Sequence, residues 1–240
     1  MRRGWAALLL LALGPACAPV LTHGPRVEPG LFLGSTLGLL IGQDTATAPD
    51  AVTPAWAPYV RYGFAGKPGG VAGSLALSVG NGFDVDAYLQ LPSRQEWAYG
   101  GGVMASPAYV MPYVQAGQSF GRGYEVYTTQ AYVHRTDFTD GNVALLDVGP
   151  NEVRPRYWAP SLALRRRQGA LGASLEITGA IGSYDQRPRG FGEGTSGQTT
   201  SRPLRALSAS VTADVNLGQL LKDLAAITRR PIPRRPPGEP

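Results

Sequence analysis

Apolar and polar residues alternate with a period of two through most of this chain. From Phe83 onward, Phe83, Val85, Ala87, Leu89 and Leu91 share one face, and Asp84, Asp86, Tyr88 and Gln90 the other. The stretches 71–79, 171–181 and 207–217 behave in the same way. Successive side chains of a strand point to opposite sides, so this period predicts strands with one apolar and one polar face. About ten are predicted, eight being the alternative count, near 30–41, 55–65, 70–80, 83–92, 96–105, 108–117, 124–134, 156–166, 169–183 and 203–217. Their lengths suit the roughly 9–11 residues with which a tilted strand crosses hydrocarbon. No long helical pattern interrupts them.

Connection lengths add a second regularity. The long connections, 42–54, 135–155 and 184–202, all follow odd-numbered segments, whereas 66–69, 93–95, 118–123 and 167–168 follow even ones and are short. Long loops on one side and tight turns on the other describe an antiparallel up-and-down barrel in a membrane, with both termini on the periplasmic side and the long loops extracellular. Asn81-Gly82 suits a tight hairpin on the loop side. Trp56 and Trp158 open descending segments and Trp97 a rising one, the placement of two interfacial aromatic girdles. Pro112 lies deeper in its segment, where a missing N–H is less easily tolerated.

Alternation alone fits two opposite arrangements: a membrane barrel with the apolar face outward, or a soluble periplasmic barrel or sandwich with that face inward. Composition separates them. Of 22 basic residues only Lys67 and Lys222 are lysine, and charged residues make up 16% of the chain. A water-facing surface carries Lys and Glu; here the polar face is Gly, Ser, Thr, Tyr, Gln and Asn with a few charges. Such a face suits an enclosed lumen, with Arg61, Asp84, Asp86, Glu176 and Asp214 as its charge network.

The ends of the chain carry the net charge. Of the formal +5, +2 lies in Arg2 and Arg3 and +3 in the segment from Gly218, which leaves the body neutral and without the basic stripe of a nucleic-acid binder. Residues 1–16 combine those arginines with a short apolar run and small residues, the pattern of a secretory signal peptide. Cys17, the only cysteine, stands directly after Ala16, where a lipoprotein signal places its lipidated cysteine; an incidental cysteine near an ordinary cleavage site is the alternative. Residues 17–29 read as a Pro/Gly-rich lead or linker, 30–217 as the barrel, and 218–240 as a short amphipathic helix followed by a disordered basic, Pro-rich tail. That tail is either an arm touching anionic lipid or cell wall, or an ordinary terminus. Arg165, Arg166 and Arg167 read most simply as anchors for lipid phosphates at the membrane edge.

Over 30–217 the pattern resembles the small bacterial outer-membrane β-barrel proteins, the OmpA-like and OmpW-like barrels. That resemblance implies an outer-membrane location, contact with its lipids, delivery by barrel-assembly machinery, and either a structural or surface-interaction role or a narrow pore. Many such proteins end on a terminal aromatic strand; this chain runs on past Leu217.

Candidate chemistry is sparse. Asp84-Val85-Asp86 is similar to the Asp-x-Asp half of the omptin proteases, but the partner Asp-x-His is represented only by His134-Arg135-Thr136-Asp137, in the wrong order and spacing. His23 and His134 are the only histidines, and no Cys/His cluster suggests a metal. The expectation is a barrel without catalytic residues, metal or cofactor, its oligomeric state open; a rim hydrolase is the remaining enzymatic alternative.

Overall fold

The computed structural model describes residues 21, 23–43, 52–65, 70–79, 83–92, 96–106, 109–121, 123–135, 151–188 and 200–228. The signal peptide, Cys17, Asn81-Gly82, Asp137 and the basic tail beyond Thr228 lie outside them.

Ten strands follow one another: β1 (Gly30–Gln43), β2 (Val52–Ala65), β3 (Ala72–Val79), β4 (Phe83–Gln90), β5 (Trp97–Ala105), β6 (Tyr109–Phe120), β7 (Tyr124–Arg135), β8 (Asn151–Gln168), β9 (Leu171–Pro188) and β10 (Thr200–Asn216). Each pairs antiparallel with its sequence neighbours, and β1 pairs with β10, so the sheet closes on itself and has no free edge. Following paired residues from Gly30 once around the wall returns to β1 at Gly42, twelve residues farther along. For ten strands that stagger corresponds to a tilt of roughly 40°.

The alternation sorts the side chains by face. Leu37, Leu75, Leu77, Val85, Val114, Leu162, Leu175 and Val211 point outward and are exposed, whereas Thr36, Ser74, Ser78, Asp86, Gln115, Thr129, Glu176 and Thr212 point inward and are buried. The polar face is therefore inside. Trp56 and Trp158 stand outward toward the loop end of the wall, and Trp97 outward at the opposite, turn end. Trp158 Nε1 donates to Gln130 Oε1 at 2.9 Å, and Trp56 Nε1 donates to Ser35 Oγ, so both indole N–H groups find partners on the wall itself.

Several strands run past the ends expected from sequence, and the last three are the longest. β8, β9 and β10 have 18, 18 and 17 residues, against eight or nine in β3, β4 and β5. Backbone pairing continues through Asn151↔Pro188 and Thr200↔Gln186, beyond the apolar stretch, because a ladder needs only backbone partners and not an apolar face. Pro112 faces outward, and the β6–β7 pairing stops at Val110↔His134 and resumes at Tyr113↔Ala131 in the same register. The wall thus absorbs the missing N–H locally. At the turn end, Gly121, Gly123 and Gly169 adopt positive φ (57°, 80° and 57°) in the β6–β7 and β8–β9 turns, a conformation that favours glycine.

Behind β10 the chain turns into helix α1 (Leu217–Thr228). Asn216 caps it: its Oδ1 accepts from Gln219 N at 3.1 Å. No residue of α1 is buried, and Leu221, Leu224 and Ile227 are at least half exposed.

Candidate functional site

The lumen is occupied by the chain's own lead. From Pro29 back to Leu21 the segment climbs inside the wall from the turn end. Asn216 Nδ2 donates to Pro29 O (3.2 Å), Val27 N donates to Gln90 Oε1 (2.8 Å), and Tyr88 OH donates to Pro25 O (3.0 Å). Gln115 Nε2 then donates to His23 O (3.1 Å), and Leu21 is buried in the same apolar cluster as Met104, Tyr109, Met111 and Val133. Two wall glycines leave room for this path. A Cβ on Gly63 would collide with the Glu28 carbonyl, and one on Gly117 would lie 2.8 Å from Pro25 Cγ. Any side chain at either position would displace the lead.

Three layers stack along the axis. At the turn end, Asp214 receives Arg167 Nη2 at 2.5 Å and Arg165 Nη2 at 3.4 Å, with Arg61 Nη2 at 3.8 Å. The lead adds a second carboxylate, Glu28 Oε2, 2.6 Å from Arg167 Nε. Arg61 and Arg167 also lie over the Phe32 ring, 4.2 and 4.9 Å from its centroid. Two buried guanidiniums and a third that is part-buried carry a large desolvation cost, which the two carboxylates and the ring face offset.

The middle layer centres on His23, whose side chain is fully buried. Its Nε2 lies 2.9 Å from Asp86 Oδ2 and 3.1 Å from Tyr113 OH, and its Nδ1 2.9 Å from Gly24 O. Tyr113 OH donates to Asp86 Oδ1 at 2.6 Å. A carboxylate and a backbone carbonyl can only accept, so the two nitrogens together face partners that suit the doubly protonated, cationic ring. Tyr88 and Tyr113 stack within 2° of parallel, 6.0 Å apart, with the imidazole tilted against both at 4.6 and 6.1 Å. Gly100 and Gly102 on β5 make room for these phenols; a Cβ there would strike Tyr88 and Tyr113 respectively. The third layer, toward the loops, is mainly apolar, with Met104, Tyr109, Met111, Val133 and Tyr157, and holds the buried Asp84, which is hydrogen-bonded to Tyr109.

All five residues expected in the lumen charge network point inward and are buried. They do not form one network. Arg61 joins Asp214, whereas Asp86 pairs with His23, and no basic side chain among the described residues lies within ion-pair distance of Asp84 or Glu176. The reading of Arg165, Arg166 and Arg167 as lipid anchors is corrected for two of the three. The strand period turns Arg165 and Arg167 into the lumen, and only Arg166 faces out, over the Tyr124 ring at 5.2 Å. Sequence reasoning also missed His23, Glu28 and the tyrosine pair. Tyr88 and Tyr113 were legible as inward positions, but nothing local marks a lead without periodicity as an occupant. The omptin-like constellation does not assemble: Asp84 and Asp86 lie inside the wall, and His134 is exposed on its outer face.

No protein-family model matches the chain, and no curated protein matches it. Among solved structures the barrel is similar to the KdgM porin, at 7% identity and TM-score 0.38 over 77% of this chain and 98% of that one. It is also similar to an outer-membrane channel of Pseudomonas putida F1 (11%, TM-score 0.43, 82% and 99%) and to OprG of Pseudomonas aeruginosa (8%, TM-score 0.38, 81% and 100%). What the chain itself establishes is a closed ten-stranded antiparallel barrel with an apolar exterior, a polar interior and its own N-terminal lead inside it.

Proposed function

We propose that this protein is a bacterial outer-membrane β-barrel with a structural or surface-interaction role, closed by its own lead and without catalysis. The apolar outer belt carries the location. Water would leave Leu37, Leu162, Leu175 and their neighbours solvated at a large cost, and hydrocarbon removes that cost. A closed barrel is one of the two structures able to span a bilayer with every backbone group paired. The lead carries the rest: with His23 and Glu28 tied to the wall, it lies in the lumen that a solute would have to cross. In this reading the long connections at the loop end face outward and meet partners. Helix α1 rests its Leu221, Leu224 and Ile227 in the inner leaflet, and the basic tail reaches anionic headgroups or cell wall.

A narrow solute pore is the second reading, favoured by one observation: among the described residues, no backbone–backbone hydrogen bond holds the lead to the wall. Two measurements test the pair. The detergent-extracted protein is expected to migrate differently on gels unheated and boiled, and to be absent from the soluble fraction. In planar bilayers it is expected to remain closed. A soluble, heat-insensitive protein overturns the membrane location; a steady open conductance overturns the closed barrel in favour of the pore.

A further inference from the structure

We infer that Asp86, Tyr88, Tyr113 and Gln115 form a binding site for a small cationic nitrogen ring of about imidazolium size, and that His23 fills it as a built-in surrogate. The wall supplies the whole recognition set from β4 and β6. Two parallel phenol rings present aromatic surface to the imidazole, and aromatic faces attract cations. The Asp86 carboxylate, only 3% exposed, receives Nε2 of the ring together with the Tyr113 hydroxyl. Among the described residues His23 is the only basic side chain within ion-pair distance of it. A buried carboxylate is costly without a cation or strong donors, so a site built around one calls for a cation. Within the barrel only the lead provides it.

Gln115 has capacity to spare. Its Nε2 donates to His23 O and, at 3.2 Å, to Thr129 Oγ1, while the buried Oε1 meets no donor. That acceptor suits a second N–H on an incoming ring. The lead is also exchangeable by construction. Among the described residues, no backbone–backbone hydrogen bond ties 21–29 to the wall; the lead is held through side chains, among them His23, Glu28, Tyr88, Gln90, Gln115, Glu125 and Asn216. The lead can leave without opening a ladder. An aromatic cage with a carboxylate then stands open in mid-lumen.

The test uses the full chain and imidazole as the probe, at a pH where imidazole is protonated, with titration calorimetry in detergent. The wild type is expected to bind it far more weakly than the variant below, since its own ring competes for the site. His23→Gly, checked for heat-modifiable migration, is expected to bind imidazole saturably. His23→Gly with Asp86→Asn is expected to bind about tenfold more weakly or not at all. A folded His23→Gly that takes up no imidazole, or no more than wild type, overturns the inference. If His23→Gly does not fold, the wild type decides: imidazole is expected to speed trypsin cleavage after Arg26 several-fold over sodium chloride of equal ionic strength. Equal rates overturn the inference. It rests on the closed lumen and not on the membrane location, so failure here with a normal gel shift leaves the proposed function standing.

Discussion

Asp86 and His23 face each other across 2.9 Å, yet they belong to regions held by different means. Asp86 sits in β4, and its backbone is locked between β3 and β5 through the pairs Ala76↔Asp86 and Asp86↔Met104. His23 sits in a segment that, among the described residues, is fastened to the wall through side chains and by no backbone ladder. Moving a wall residue means breaking a ladder that is continuous around the barrel, whereas moving the lead means breaking a handful of bonds, each worth about 0.5–3 kcal/mol net. Substitutions in the wall should therefore act on stability, and substitutions in the lead on what passes through or binds.

The largest effect is expected from Asp214→Ala, which leaves Arg61, Arg165 and Arg167 with one carboxylate fewer in a tight lumen. A loss of about 3–5 kcal/mol is expected, read by urea unfolding in lipid vesicles. An unchanged midpoint would mean that the turn-end layer does not hold the wall together. Leu162→Arg, at a position 61% exposed within the belt, should cost about 2–4 kcal/mol in vesicles if the belt lies in hydrocarbon. The same substitution made harmless would remove the membrane from the picture.

His23→Ala with Glu28→Ala cuts the His23–Asp86 and Glu28–Arg167 ion pairs. It should lower stability by only about 1–3 kcal/mol while converting a silent barrel into a conducting one in planar bilayers. A variant that stays closed would show that the lead is fixed by more than these side chains. The smallest change is expected from Leu224→Asp on α1, half exposed and outside the barrel. The barrel's unfolding midpoint should move by less than about 0.5 kcal/mol. Protease cleavage after Lys222 should nevertheless become faster if the helix has lost its hold on the leaflet.

How much of this was legible follows from the range of the interaction involved. The face of each strand residue was, because the two-residue period is a local property of the backbone: Asp84, Asp86, Glu176 and Asp214 all point where the alternation places them. The same period applied to Arg165-Arg166-Arg167 sends the outer two inward, whereas reading the run as one unit at the membrane edge sent all three to lipid. The ends of β8, β9 and β10 were not legible, since their last residues pair through backbone groups that every sequence carries.

By itself, then, the sequence determined a series of two-faced strands and the polarity of their faces, through steric rules acting over two or three residues, and left their count at about ten or eight. Only the tertiary structure decided which charges meet. Asp214 finds Arg61 and Arg167 at separations of 153 and 47 residues, and Asp86 finds His23 across 63, because closing ten tilted strands brings them to one height in the lumen. It also decided that the lead lies inside. That segment has no period to read, and its place is set by a channel whose width depends on Gly63 and Gly117 on opposite arcs of the closed wall.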